Sequence, residues 1–372
     1  MASKKGTPGK LNMAEMRKLI NKKAGIEVAH DLTKENPTEV REWIPTGSRW
    51  LDSIICRGKL AGIPVGKITE IAGLESTGKS YMANIIASNA QKMGFDVVYF
   101  DSESAIDPDF LKRIGVDLDR YLYIQAPSVE EVLEYVEELL GSGNKLLFIW
   151  DSLALTPTKT DLEGDFNPQS SMAVKPRILS KGMSKLIKPL ADAQCAFLVL
   201  NQLKTNITSN IAEQRTTPWF TPGGKAMIYA YSLRIWLTGR KAKASYVLDD
   251  KDFRIGSEVK AKLQKSRFGT EGRMCNYKIL WAGDEIGVQD EESWLDAIKG
   301  SNALSNAGAW YTLKTREGRE FKFQGSQWVD KLGDPEFRQA VFDVMDEEVI
   351  MKFDKREGNA KEFYDAEGEG EA

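Results

Sequence analysis

Histidine is nearly missing from this chain of 372 residues, with His30 as its only example. That scarcity argues against Ser-His nucleophilic triads and His-rich metal sites, so the chemistry falls to carboxylates, hydroxyls, amides and cations. Cysteine is also sparse. Cys56, Cys195 and Cys275 lie far apart and form no C-x-x-C pair, which fits a reducing compartment without structural zinc. Cys195, followed by the apolar run Ala196-Phe-Leu-Val-Leu200, reads as a small core residue. No apolar run has membrane-spanning length and no signal-peptide pattern opens the chain, so a cytoplasmic protein with no membrane partner is expected. A surplus of one charge is lacking too. The 51 basic and 54 acidic residues leave a net charge of −3, which by itself argues neither for nor against nucleic acid. The exception is the terminus Phe363 to Ala372, which carries Asp365, Glu367, Glu369 and Glu371 and no base. It is either an arm that competes with anionic ligands or a solubilising tail.

What is present is a phosphate-loop pattern. Lys67-Ile-Thr-Glu-Ile-Ala-Gly-Leu-Glu-Ser-Thr-Gly-Lys-Ser80 reads as strand and loop, followed by a helix from Tyr81. Ile68, Thr69 and Ile71 suit a buried strand. Gly73, Leu74, Glu75, Ser76, Thr77, Gly78, Lys79 and Ser80 spell G-x-x-x-x-G-K-[ST]. Glycines at both ends let successive N–H groups turn inward and, with the next helix N-terminus, cradle anionic oxygens. Lys79 can reach the β- and γ-phosphates and Ser80 can ligate Mg²⁺. A nucleoside triphosphate with Mg²⁺ is expected here.

The rest of the chain supplies the context. Residues 1 to about 10 read as a disordered basic start, and Met13 to Lys23 as a short helix with Met16, Leu19 and Ile20 at helical spacing, packed on something, such as a neighbouring subunit. Strands are expected at Phe95 to Phe100, Lys145 to Ser152 and Ala196 to Leu200, alternating with helices at Val129 to Leu140 and Arg177 to Asp192. This alternation predicts an α/β fold with a mainly parallel, doubly wound sheet, whose ligands lie beyond the carboxyl ends of the strands. Gly73, Glu103, Asp151 and Gln202 all fall at such ends. Asp151 reads as a Walker-B carboxylate on Mg²⁺ or as a helix cap. Glu103 reads as a base for a water attacking the γ-phosphate, or as a solvated glutamate. Gln202 can sense the γ-phosphate and pass its state to the loop that follows, or is an ordinary strand-end amide. Long loops are expected over Asp161 to Lys175 and Leu203 to Pro222. They offer Lys159, Lys175, Arg177, Lys204, Arg215 and Lys225, with Trp219 and Phe220 as stacking groups, a composition suited to single strands. Strands at Ser232 to Leu237, Glu258 to Leu263 and Asn276 to Trp281 read as an antiparallel extension. Trp310 to Phe323 reads as a basic, aromatic hairpin that contacts duplex DNA or packs its rings inward.

These segments identify a family likeness. The chain resembles the RecA recombinases over about residues 45 to 330, through Pro45-Thr-Gly-Ser-Arg-Trp-Leu-Asp, the loop at Gly73, Tyr99-Phe-Asp-Ser-Glu-Ser-Ala-Ile-Asp-Pro, Trp150-Asp-Ser-Leu-Ala-Leu-Thr-Pro, Leu200-Asn-Gln-Leu, Pro222-Gly-Gly-Lys, Gly256-Ser-Glu-Val-Lys and Ala307-Gly-Ala-Trp-Tyr, in family order. The resemblance implies a RecA-like P-loop core (45–283), an N-terminal polymerisation arm (1–44), a small C-terminal α/β domain (284–346) and a charged tail (347–372). It makes Glu103 the catalytic base and Gln202 the γ-phosphate sensor, with Lys79 at the phosphates and Ser80 and Asp151 at the metal. Tyr81 adjoins the nucleotide, and Asp107, Phe110 and Trp281 match adenine contacts. It makes 161–175 and 203–222 the DNA-binding loops, with Met172, Arg177, Lys204, Arg215, Gly223, Gly224 and Lys225 in them or beside them. Lys260 and Lys262 align with a patch that admits duplex DNA. Lys265 and Arg267 align with a cationic pair that reaches the γ-phosphate of a neighbouring subunit.

Two departures bear on DNA coupling: Ser184 stands where bacterial members carry a DNA-contacting arginine, and Ile228 where they carry an interfacial lysine. Trp219-Phe220 and a longer second loop are also unusual. The resemblance implies an ATP- and Mg²⁺-dependent recombinase that assembles head to tail on single-stranded DNA, pairs it with duplex DNA and works with single-strand-binding and loader proteins. A hexameric helicase on the same core, or an ATP-gated single-strand-binding mediator, remains as an alternative reading.

Overall fold

The computed structural model describes residues 10–104, 106–164, 174–206, 218–239, 245–283 and 286–352. The chain divides into two units, Met1–Arg41 and Glu42–Ala372.

In the first unit Met13–Ala24 forms helix α1. Asn12 and Glu15 make a reciprocal capping box at its start, and Gly25 ends it at φ 70°, a conformation that costs glycine nothing. None of its residues is buried, so Met16, Leu19 and Ile20 form an exposed apolar stripe. The Asn21 side chain accepts from the Val28 and Ala29 amides and donates to the Ala29 carbonyl, which folds the next segment back on the helix.

The second unit runs β1 (Trp43–Ile44), α2 (Arg49–Ile55), β2 (Ile63–Pro64), β3 (Ile68–Gly73), α3 (Lys79–Lys92), β4 (Asp96–Asp101), α4 (Pro108–Arg113), β5 (Tyr121–Gln125), α5 (Val129–Leu140), β6 (Leu146–Asp151), α6 (Lys159–Glu163), α7 (Val174–Asp192) and β7 (Ala196–Gln202). It continues with β8 (Lys204–Thr205), β9 (Trp219–Phe220), α8 (Lys225–Ala230), β10 (Leu233–Thr238), β11 (Tyr246–Leu248), β12 (Arg254–Ser266), β13 (Met274–Leu280) and β14 (Gly287–Gln289). The main sheet has the order β14-β13-β12-β10-β3-β7-β6-β4-β5, with β11 beside β12. From β10 to β5 neighbours are parallel, and from β10 to β14 they are antiparallel. This is the expected α/β class, and the antiparallel extension begins one strand later than expected, because β10 runs parallel to β3 and only β12 onward is antiparallel.

Alternation along the strands feeds two cores. Val97, Tyr99, Leu147 and Ile149 face one, with Met82, Ala83 and Ile86 of α3. Val98, Phe100, Phe148 and Trp150 face the other, with Val132 and Val136 of α5 and Leu179 and Met183 of α7. The first core continues into the C-terminal segment, where α9 (Glu291–Ile298), the three-stranded sheet β15 (Leu304–Ala307), β16 (Trp310–Lys314) and β17 (Glu320–Gln324), α10 (Trp328–Leu332) and α11 (Pro335–Val344) pack together. The hairpin expected at Trp310 to Phe323 is β16–β17. Phe323 is buried against Trp328 and Phe337, with ring centroids 5.5 and 5.3 Å away, while Trp310 and Lys322 are exposed.

Several expectations need correction. The strand β5 and helix α4 were not anticipated. The first long loop is shorter than 161–175, because α6 covers Lys159–Glu163 and α7 begins at Val174. The second is closed at its base by β8–β9, which pairs Lys204 with Phe220 and Thr205 with Trp219. Of the residues expected there, Met172 and Arg215 lie outside the described residues, as do the tail acids from Asp365 on.

Candidate nucleotide and nucleic-acid site

Strand β3 delivers the phosphate loop to the carboxyl edge of the sheet. Gly78 caps α3 at φ 78°, and a Cβ there would lie 2.6 Å from Ile279. A side chain there is strained by conformation and would need the Ile279 Cδ1 to move. A Cβ on Gly73 would lie 2.5 Å from the Thr77 hydroxyl. That hydroxyl donates to the Leu74 carbonyl at 2.8 Å and braces the loop, of which Glu75 and Ser76 form the exposed tip. Lys79 Nζ donates to the Leu74 carbonyl at 3.1 Å and more weakly to Gly73 at 3.4 Å. Burial pushes its pKa down, opposed by the nearby Asp151, Glu103 and Glu75 carboxylates.

The sheet order brings the other residues expected at the phosphates to the same edge. Gln202 pairs in register with Gly73, and Asp151 with Asp101. Asp151 is buried and Tyr99 donates to its Oδ2 at 2.6 Å. Burial raises its pKa, with the Ser80 and Tyr99 hydroxyls acting against that rise. Its Oδ1 is buried without a hydrogen-bond partner. An anionic oxygen left open beside a helix N-terminal serine suits a hard divalent cation, so Ser80 and Asp151 fit Mg²⁺. Glu103 follows β4. Asp101 Oδ1 accepts the Glu103 and Ser104 amides at 2.7 and 2.8 Å and so fixes the turn, and the Ser152 hydroxyl donates to Glu103 Oε1 at 2.8 Å. Sequence reasoning missed Tyr99, Asp101 and Ser152, although a tyrosine inside Val-Val-Tyr-Phe, on the same strand face as Asp101, was the available signal.

Tyr81 lies between two other aromatics, with ring centroids 4.4 Å from Phe110 and 6.0 Å from Trp281. Asp107 caps α4 through the Asp109 and Phe110 amides, and it lines one cleft with Ser80, Tyr81, Phe110 and Asp151. The aromatic and phosphate halves of the site are thus contiguous.

Lys265 and Arg267 are elsewhere. Gly73 pairs with Leu237, whereas Ser266 pairs with Leu233 at the other end of β10. There Lys265 Nζ donates to the Ile228 and Tyr231 carbonyls at 2.5 and 2.7 Å, and Arg267 to Tyr229 at 2.7 Å. Both cations cap the C-terminus of α8, where the helix dipole favours positive charge.

The family model for the RecA N-terminal domain matches residues 11–286. This chain belongs to the RecA family. Protein RecA of Fusobacterium nucleatum is 32% identical over 282 residues, covering 75% of this chain and 70% of its own. That of Streptomyces avermitilis is 30% identical over 280 residues, covering 75% and 70%. That of Chlamydia caviae is 28% identical over 345 residues, covering 92% and 94%. The likeness makes the chain a recombinase of the strand-exchange type, in DNA recombination and repair.

Among residues with a DNA role in the RecA-family reading, Arg177 is exposed on α7 and Lys204 opens β8. Gly223 and Gly224, at φ 110° and 82°, lead into Lys225 at the start of α8. Lys260 and Lys262 occupy exposed, alternate positions on β12. Lys175 does not fit the expectation of a free loop cation. Its Nζ donates to the Leu153, Ala154 and Thr156 carbonyls, and burial lowers its pKa to about 8. Lys159 faces Glu134 at 3.6 Å. Ser184 is exposed, and its hydroxyl donates back to the Ser180 carbonyl. No helix among the described residues is long and apolar enough to cross a membrane.

Proposed function

We propose that this RecA-family chain is a DNA-dependent ATPase that polymerises head to tail on single-stranded DNA, with Mg²⁺·ATP between neighbours, and pairs that strand with homologous duplex. The carrying observation is the convergence of Lys79, Ser80, Asp151, Glu103 and Gln202 at one edge of the sheet. Lys79 exchanges its loop carbonyls for phosphate oxygens. Ser80 and Asp151 would hold Mg²⁺, which would supply charge neutralisation at the phosphates. Glu103, kept in place by Ser152 and the Asp101 turn, takes the proton of the attacking water. Tyr81, Phe110 and Trp281 offer ring faces to the base, and Asp107 accepts from its amino group. Gln202 reports the γ-phosphate to the loop that begins at Leu203.

In this reading 1–44 is the polymerisation arm, 45–283 the ATPase core, 284–346 a small appended domain and 347–372 an acidic tail. Arg177, Lys204, Gly223, Gly224 and Lys225, together with Met172 and Arg215, line the single-strand path. Lys260 and Lys262 admit duplex, and Lys265 and Arg267 serve the neighbour's phosphate. Single-strand-binding and loader proteins are its partners, and the cytoplasm its place of action. The test is ATP turnover with and without single-stranded DNA, paired with electron microscopy in a non-hydrolysable ATP analogue and with joint-molecule formation from a homologous duplex. Stimulated turnover, helical filaments and joint molecules are expected. Rings with directional unwinding of a tailed duplex would overturn the reading in favour of a helicase.

A further inference from the structure

A charged cluster lies inside the sheet, behind the phosphate site. Glu70 on β3 is fully buried, and Arg234 on the adjacent β10 nearly so. Arg234 Nε donates to Glu70 Oε2 at 2.6 Å. On the other side of β3, Asn201 Nδ2 donates to Glu70 Oε1 and to the Pro222 carbonyl, both at 3.0 Å. Arg234 Nη2 also donates to the Thr221 hydroxyl at 2.8 Å. The Asn201 side chain finally accepts the Gln202 amide at 2.9 Å.

The members of this cluster connect functional ends. Three residues beyond Glu70, β3 becomes the phosphate loop, and Asn201 directly precedes Gln202. Thr221 and Pro222 are the last residues of the loop that begins at Leu203. A buried ion pair can often be replaced by apolar side chains without loss of stability, so stability alone is a weak reason for this one. A fully satisfied buried network does specify a single arrangement. Releasing Thr221 and Pro222 would leave Arg234 Nη2 without its Thr221 partner and Asn201 Nδ2 with Glu70 alone, a cost that favours a docked loop end over partly released ones.

We propose that Glu70 and Arg234, with Asn201, form a buried clamp that couples nucleotide state to the far end of the second DNA loop. Gln202 begins the loop, and the clamp holds its return. Glu70 and Arg234 are positioning residues, acting through Asn201 and Thr221. The inference rests on the DNA-stimulated ATPase proposed above.

The test uses the full chain with Mg²⁺·ATP, with and without poly(dT). In the double variant Glu70→Met/Arg234→Met both charges leave together, so folding is retained, as thermal melting verifies. Turnover without DNA and the KM for ATP should stay within about twofold of the parent, while stimulation by poly(dT) falls at least about fivefold, the scale of a typical coupling. Thr221→Val, which keeps the ion pair and loses one clamp contact, should also reduce stimulation, and Thr221→Ser should restore it. These two decide the matter should the double variant fail to fold. A structural role alone would lower basal and stimulated rates together and leave their ratio unchanged, which overturns the clamp. A parent chain that poly(dT) does not stimulate would instead overturn the functional reading on which the clamp rests.

Discussion

Arg267→Ala tests whether each hydrolytic site is divided between two subunits. Along β10, Leu237 beside the phosphate loop and Leu233 beside Ser266 are separated by four positions. At about 3.3 Å per residue that is about 13 Å, more than an arginine side chain spans, and Arg267 lies beyond Ser266. Within its own chain the guanidinium caps one exposed helix end, so its removal should cost no more than about 1 kcal/mol of stability. If it neutralises charge at a neighbour's γ-phosphate, its loss should slow turnover about 10³-fold, equivalent to about 4 kcal/mol of transition-state stabilisation. Lys79→Ala should be as inactive, for lack of the loop cation. Mixed in equal amounts on one DNA strand, the two variants would form head-to-tail interfaces of which about one in four joins an intact loop to an intact Arg267. ATPase rate against mixing ratio should therefore form a dome peaking near one quarter of the parent rate. Energy transfer between labelled subunits would establish co-assembly. A flat line with co-assembly established would refute the divided site.

Glu103→Gln keeps an oxygen for the Ser152 hydroxyl but cannot take a proton. It should bind ATP normally, hydrolyse it at least about 10²-fold more slowly and form long-lived DNA complexes, as single-turnover kinetics and gel shifts would record. Asp151→Asn removes a buried negative charge. Added Mg²⁺ should therefore raise the melting temperature of the parent and leave that of the variant unmoved. Asp52 is buried and accepts from Thr46, and burial raises its pKa from 3.8 to about 8. Because the folded value is the higher one, its stabilising contribution is whole below pH 3.8 and is lost as the pH climbs through about 8. Melting temperature should fall along that limb, and Asp52→Asn should flatten the fall.

The phosphate-loop edge of the sheet was legible because its signals are local. A glycine-spaced loop after a β-branched strand, and carboxylates closing apolar runs, need no tertiary information. Strand β5 was not legible. It is an edge strand with Leu122 and Tyr123 exposed, and its apolar run Tyr121-Leu-Tyr-Ile124 is too short for periodicity to tell strand from helix. Lys175 was misread because it closes a stretch read as a loop, whereas α7 already begins at Val174 and its ammonium turns inward onto three carbonyls. Glu70 and Arg234 carry no local signal of each other in their strands. What pairs them is an adjacency between positions 164 residues apart, which no local window contains. Loop bases suffer similarly, since a two-residue ladder such as β8–β9 has no periodicity to detect.

The position of Lys265 and Arg267 at the far edge of the sheet has a consequence for counting. If a site needs the loop of one chain and the cations of the next, an isolated chain contains both halves and no whole. A filament of n chains then has n − 1 complete sites, and one terminal subunit that can hold nucleotide without completing its turnover. Rate per subunit becomes a measure of filament length. Short filaments waste little ATP, and one end is chemically distinct from the other before any further factor acts on it.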